Sequence, residues 1–280
     1  MADLWMRFPG GKAKAFTMSY DDGVEQDIRL IEIMNRFGLK GTFNLNAGLF
    51  APEGTVYPKG QISRRLSAKR ALELYRDSGN EVAIHGLTHP FLDKIPVPRM
   101  VYEIVEDRRR LEEMFGCVVR GMAYPYGTLN QDVIKALKAA EIIYARTTVS
   151  MGNFEIPEDW LQLLATAHHN DPKLEKFGKT FLKNTPQGDP QMFYLWGHSY
   201  EFERDDNWQV IERFAELIGG HSDIWYATNI QIFDYILAYR QLRFSVDMKL
   251  VQNPTAQDIF FRLGETDQMV PAGKTVALPG

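Results

Sequence analysis

The sequence predicts an α/β fold in which parallel strands alternate with covering helices, as an open sheet or a closed barrel. Three observations carry this. Short apolar or β-branched runs alternate with segments of helical periodicity from Lys14 to Leu242. The 280 residues fit a single α/β barrel, and a hydrophobic content of 45% suffices for a sizeable core. Ionisable and aromatic residues fall directly after the predicted strands, which in a parallel barrel gathers them on one face.

In chain order, Lys14–Tyr20 reads as a strand, and Ile28, Ile31, Met34 and Phe37 recur at helical spacing before Gly38. Thr42–Asn46 is a second strand, followed by a loop with Pro52, Gly54, Pro58 and Gly60. Ser67 caps a helix that stops at Gly79. Glu81–Ile84 is a strand, Arg99–Phe115 an amphipathic helix closed by Gly116, and Val118–Tyr124 the next strand. Asn130 caps a helix through Ala140, and Ile142–Val149 returns as a strand. Leu161–Ala167 reads as a buried strand, with Asp171-Pro172 starting a helix. Gln191–Trp196 is a strand, Asn207–Ile218 a helix, Ile224–Ala227 a strand and Asn229–Leu242 a last helix. Beyond Arg243 the pattern changes to short strands, Phe244–Val251, Ile259–Leu263 and Thr275–Leu278. Residues 1–242 are therefore expected to form the main unit and 243–280 a small β-rich appendage.

Composition excludes several classes. Net charge is −4, and the one basic run, Arg108-Arg109-Arg110, lies in a helical pattern as a solvated face, so no nucleic-acid partner is expected. The single Cys117 leaves no internal disulfide and no cysteine-rich metal site. Met1 to Lys14 lacks the apolar core of a signal peptide, so the expected location is cytoplasmic. No run approaches the ~20 apolar residues of a membrane span. Oligomeric state is not legible.

The predicted strand ends carry Asp21-Asp22, then His85 and His89, then Tyr126, Arg146, His168-His169 and His198. Adjacent carboxylates repel, so one must be protonated, paired or bound to a cation, and a metal answers this economically. They point in different directions, so one can hold a metal while the other acts as a base. The bland alternative is an Asp-Asp-Gly turn. Gly86 and Pro90 place His85 and His89 on a loop. Two histidines and one carboxylate leave open positions on a metal, as catalytic sites do, whereas two unrelated loop histidines are the alternative.

Tyr20-Asp21-Asp22-Gly23, His85-Gly86-Leu87-Thr88-His89 and Tyr124-Pro125-Tyr126-Gly127, with His198 closing a late strand, resemble the polysaccharide deacetylase family, carbohydrate esterase family 4. The match runs in order from Ala15 to Tyr200, and the C-terminal appendage lies outside it. The resemblance implies a distorted (β/α) barrel holding one divalent metal, zinc in the first instance. It implies Asp22, His85 and His89 as ligands, Asp21 as general base, the Tyr126 backbone N–H as oxyanion donor and His198 as acid to the leaving group.

The pattern also departs from the family. The arginine expected three positions before Tyr126 is Ala123, and the family's aspartate–tryptophan element has no counterpart. Arg146, at the end of the next strand, is expected to reach Asp21 instead, with an outward-facing arginine as the alternative. Arg146, His169, Tyr200 and Glu201 are read as the substrate side, with Tyr200 and Trp196 as stacking surfaces. His169 is chosen over His168 because Asn170-Asp171 shows the chain leaving the strand. The expected function is a metal-dependent hydrolase releasing acetyl from nitrogen, or oxygen, of an amino sugar, oligosaccharide or polysaccharide. Its partner is thus a carbohydrate or another acylated small molecule. The alternatives are a hydrolase of small non-sugar amides, such as a cyclic ureide or imide, and a non-catalytic carbohydrate-binding protein.

Overall fold

A computed structural model describes residues 3–279. In chain order the elements are β1 (Leu4–Arg7), β2 (Lys14–Asp21), α1 (Asp27–Arg36), β3 (Gly41–Leu45), α2 (Ala68–Tyr75), β4 (Glu81–Ile84), α3 (Val97–Phe115), β5 (Gly121–Ala123), α4 (Gln131–Ala139), β6 (Tyr144–Ser150), β7 (Leu163–Ala165) and β8 (Ala167–His168). There follow α5 (Leu174–Lys183), β9 (Gln191–Gly197), α6 (Tyr200–Arg204), α7 (Gln209–Ile218), β10 (Ile224–Tyr226) and α8 (Asn229–Tyr239). The last strands are β11 (Arg243–Phe244), β12 (Leu250–Gln252), β13 (Ile259–Leu263), β14 (Thr266–Val270) and β15 (Thr275–Ala277). Ser67, Asn130 and Gly116 cap their helices as the sequence predicts.

The main sheet is parallel, in the order β7-β6-β5-β4-β3-β2-β9-β8, with β10 added along β2. One short stretch closes it. β7 pairs with β6, β8 pairs with β9, and between them the Thr166 N–H donates to the Tyr194 carbonyl at 2.8 Å. Residues 163–168 thus join both edges, and the sheet becomes a distorted barrel.

Alternation along β2 separates two environments. Phe16, Met18 and Tyr20 pack outward into the core shared with α1, α3, α4 and α7. Thr17, Ser19 and Asp21 face inward, where the barrel is polar. The Thr17 hydroxyl donates to Asn229 Oδ1 at 2.9 Å, Asn229 Nδ2 donates to the Tyr194 hydroxyl at 2.7 Å, and Asn44 Nδ2 donates to Ser19 Oγ at 2.8 Å. At the floor, Glu81 accepts from the Tyr144 hydroxyl at 2.6 Å, the Thr42 hydroxyl at 2.8 Å and the Ile230 N–H at 2.9 Å. Gly121 permits this crossing: a Cβ there would lie 2.1 Å from the Tyr144 hydroxyl. The floor is closed by α8, whose first turn is held by a Thr228–Gln231 capping box.

Several expectations are corrected. The strand expected over Val118–Tyr124 is confined to β5, because Val118 is 71% exposed and the chain is still turning there. Leu161–Ala167 divides into a short 3₁₀ turn, β7 and β8. Phe244–Val251 is a hairpin, not one strand: β11 and β12 pair antiparallel around a turn in which Met248 has φ +57°. The appendage also recruits β1 from the other end of the chain, paired antiparallel with β13, a long-range partnership that periodicity does not reveal. No helix among the described residues is long and apolar enough to cross a membrane.

Burial pushes the Glu81 carboxyl up to about 7, against the pull of its three donors and Arg120. A raised carboxyl contributes its full stability below its unfolded pKa near 4.5, loses it as pH rises towards 7, and is level above. The stability of Glu81→Gln relative to wild type should therefore rise by about 2–3 kcal/mol between pH 4 and pH 8. Urea unfolding at both pH values measures it, and a pH-independent difference would contradict the assignment.

Candidate functional site

Asp21 ends β2 at 2% exposure, and each of its carboxylate oxygens accepts one hydrogen bond. Asn44 Nδ2 donates to Oδ1 at 2.8 Å, and the Arg146 guanidinium donates through Nη2 to Oδ2. Arg146, 1% exposed, reaches across from β6, donates from Nε to Ser19 Oγ at 3.2 Å and from Nη1 to the Thr147 carbonyl at 3.0 Å, and lies 4.4 Å over the Trp196 ring. Burial pushes the Asp21 carboxyl up, but Arg146, then His85 and His198, outweigh it and hold the group well below the usual carboxylate range. Asp21 is therefore ionised.

Asp22 has a different partner. Arg65, from the loop after β3, donates through Nη2 to Asp22 Oδ1 at 2.9 Å and through Nη1 to the Asp22 carbonyl. The same Nη1 donates to Asn46 Oδ1 at 2.7 Å, and Asn46 Nδ2 donates to the carbonyls of His85 and Gly86, both at 2.6 Å. The Asp-Asp segment and the histidine loop are thereby tied together. Two carboxylates of α3 hold that loop from the other side. Glu103 accepts from the Thr88 N–H and hydroxyl, both at 2.7 Å, and Asp107 accepts from the Ala47 N–H at 2.7 Å and the His85 N–H at 3.1 Å.

His85 follows β4, and its Nδ1–H donates to the Ala123 carbonyl of β5 at 2.7 Å. That contact leaves the Nε2 lone pair free and aimed inward. His85 Nε2 lies 3.1 Å from His89 Nε2 and 4.0 Å from Asp22 Oδ1, which is 3.9 Å from His89 Nε2. Burial first, then the neighbouring His85, bring the His89 pKa down to about 4, so both rings are neutral. Two neutral imidazole nitrogens and a carboxylate oxygen within mutual reach suit a divalent ion of zinc type with open positions. The donor set fits the implied metal.

A second group, His168, His198 and Glu201, has similar donors but a different character. The Asn170 N–H donates to His168 Nδ1 at 3.1 Å, so the neutral ring carries its proton on Nε2, which faces Glu201 Oε2 at 3.2 Å. His169 Nε2 is 3.0 Å and His198 Nδ1 3.7 Å from the same oxygen. Histidine N–H groups face a carboxylate here, whereas His85 presents a lone pair. His198 Nε2 points to Asp21 Oδ2 at 3.7 Å. Burial pushes the His198 imidazole down, but Glu201, Asp21 and Asp22 together raise it above its ordinary value.

Of the residues read as the substrate side, the structure moves three. Arg146 and Glu201 are buried and engaged with other protein groups, and His169 has 0% exposure. The choice between the adjacent histidines is inverted. His168 pairs in register with Trp196 and shares its inward face, so alternation turns His169 outward against Tyr20 and Phe202. Tyr200 stands beside His198, ring centroids 5.3 Å apart. Tyr126, 52% exposed, stacks on Phe91 at 3.8 Å and lies edge-on to His89 at 4.5 Å. Asp22, His89 and Tyr126 all adopt positive φ, +86°, +56° and +59°, a concentration of backbone strain at one rim.

Sequence reasoning missed Arg65, Asn44, Asn46, Glu103 and Asp107. Asn44 and Asn46 were detectable as alternate polar positions in an apolar strand. Glu103 and Asp107 share a helix face with Met100, Ile104 and Leu111, an anomaly for carboxylates. Arg65, in a loop without periodicity, gave no signal.

Removing one member of a buried ion pair strands the other, typically at a cost of about 3–5 kcal/mol. Arg146→Met should lose that much unfolding free energy, and Asp21→Asn added to it should recover most of the loss. A double-mutant cycle by chemical denaturation reads this, and additive losses would show the pair to be uncoupled.

The sequence matches no curated protein. By structure, a Mycobacterium smegmatis protein assigned as a polysaccharide deacetylase is 17% identical with a TM-score of 0.57, over 83% of this chain and 93% of that one. Peptidoglycan deacetylase PdaC from Bacillus subtilis is 15% identical with a TM-score of 0.51, over 84% and 95%. Streptococcus pyogenes deacetylase PplD, in complex with acetate, is 19% identical with a TM-score of 0.42, and the chain covers 55% of its length with 47% of its own. The first two likenesses establish the fold. Residues 9–145, which carry the aspartate pair, both loop histidines and Tyr126, match the family model described as polysaccharide deacetylase.

Proposed function

We propose that the protein is a metal-dependent hydrolase that releases acetyl from the nitrogen of an amino sugar or its oligomers. The observation that carries this is the position of Asp21 Oδ2, 3.9 Å from His85 Nε2 on one side and 3.7 Å from His198 Nε2 on the other. A carboxylate outside the ligand set thus stands between the candidate metal centre and a candidate acid.

Asp22, His85 and His89 would hold the ion. The chemistry a divalent ion would supply in such a site is Lewis acidity, polarising a carbonyl and lowering the pKa of water to about 7. Asp21, held ionised by Arg146 and outside the ligand set, is the proposed general base. Its part is to accept the proton as water attacks the acetyl carbon. The Tyr126 backbone N–H is the proposed donor to the developing oxyanion, a contact commonly contributing about 3–4 kcal/mol. His198, whose imidazolium form Glu201 and Asp21 favour, delivers a proton to the departing amine. The Phe91–Tyr126 pair offers an apolar surface beside His89 for a sugar ring.

Metal content of the purified chain and acetate release from N-acetylglucosamine oligomers test this together. Wild type should bind metal and release acetate. Asp21→Asn should keep the metal and lose about 10²–10⁴ in kcat, and His89→Ala should lose the metal. Metal without acetate release would favour the small-amide alternative, and absence of both would leave only binding.

A further inference from the structure

His169 touches no solvent, yet its environment is that of a group held in one orientation. Its ring lies against Phe202 at 4.1 Å and parallel to Tyr20 at 5.7 Å, and the Tyr20 hydroxyl is 3.3 Å from Nδ1. On the remaining side is Gly197, where a Cβ would come within 2.0 Å of Nδ1. The ring therefore fills a slot that only glycine leaves open. Burial, opposed by Glu201, brings the His169 pKa down to about 4, so it is neutral and has one proton to place. Nε2 faces Glu201 Oε2 at 3.0 Å, and a lone pair turned towards a carboxylate is repelled. The proton is on Nε2, and Nδ1 accepts from Tyr20.

We propose that His169 is a positioning residue for His198, acting on that imidazole through the shared Glu201 carboxylate without contacting substrate. It rests on the reading of His198 as the proton donor. The groups facing His198 are Asp21 from β2, Glu201 and Tyr200 from α6, and His168 from β8, with Asp22 further off. Among them, Glu201 Oε2 is approached by all three histidines. Acting through space, the N–H ends of His168 and His169 offset part of its charge, which sets how strongly Glu201 favours the imidazolium form of His198 at 3.7 Å. Without the His169 N–H, more of that charge falls to His198. Its imidazolium then persists to higher pH and becomes a poorer acid.

The test is an NMR titration of the His198 imidazole in the full metal-free chain, with acetate release measured in parallel. His169→Phe should move the His198 midpoint upward by about half a unit or more. His169→Gln, which retains an N–H, should stay near wild type, and Glu201→Gln should move it downward. A His169→Phe chain that titrates like wild type overturns the proposal, as does an unshifted Glu201→Gln chain, which carries the test if the Phe variant does not fold. Expected shifts without acetate release would remove the deacetylase reading and leave this coupling intact. Acetate release with unshifted titrations would do the reverse.

Discussion

The ion pair between Arg146 and Asp21 is the constraint around which the barrel is arranged. Both groups are removed from water, and the effective cost of burying an ion is several kcal/mol unless a counter-charge and hydrogen bonds replace its hydration. The structure supplies these. Asn44 donates to the free carboxylate oxygen, Ser19 and the Thr147 carbonyl accept from the guanidinium, and the Trp196 ring covers its face. The interior below continues in the same style, through Thr17, Asn229 and Tyr194 to Glu81 at the floor. Barrels are more often filled by branched apolar side chains. Here the larger hydrophobic cluster lies outside, between strands and helices, and the inside combines a smaller one, including Met192, Tyr194 and Trp196, with this polar network.

The two aspartates are adjacent in sequence but belong to different electrostatic systems. Asp21 is neutralised by a guanidinium inside the barrel, and Asp22 by one from a surface loop. That second guanidinium also binds Asn46, which holds the His85 and Gly86 carbonyls, so the carboxylate and the histidines of the candidate metal centre are set relative to one another. Positive φ at Asp22 is affordable because Arg65 holds both its carboxylate and its carbonyl.

The histidines show how little residue type decides alone. His85 and His168 are both partly framed by backbone, but His85 donates to a carbonyl through Nδ1 and His168 accepts from an N–H there. The first presents a lone pair to its neighbours and the second a proton. One cluster can hold a cation, and the other surrounds an anion.

Much of this was legible beforehand. The strand–helix alternation, the caps at Ser67, Asn130 and Gly116, and the rim position of Asp21, Asp22, His85, His89 and His198 follow from local periodicity and from the rule that parallel strands deliver their C-terminal ends to one face. The orientation of His169, the reach of Arg65 and the pairing of β1 with β13 were not, because each depends on a partner far away in the chain. Sequence by itself determined which chemical groups arrive at the rim, since that is a property of short segments. Only the tertiary structure decided which guanidinium serves which carboxylate, which histidine faces inward and which nitrogen carries the proton. Those are set by cross-strand register and by backbone groups of neighbouring strands, and neither is encoded within the segment that bears the side chain.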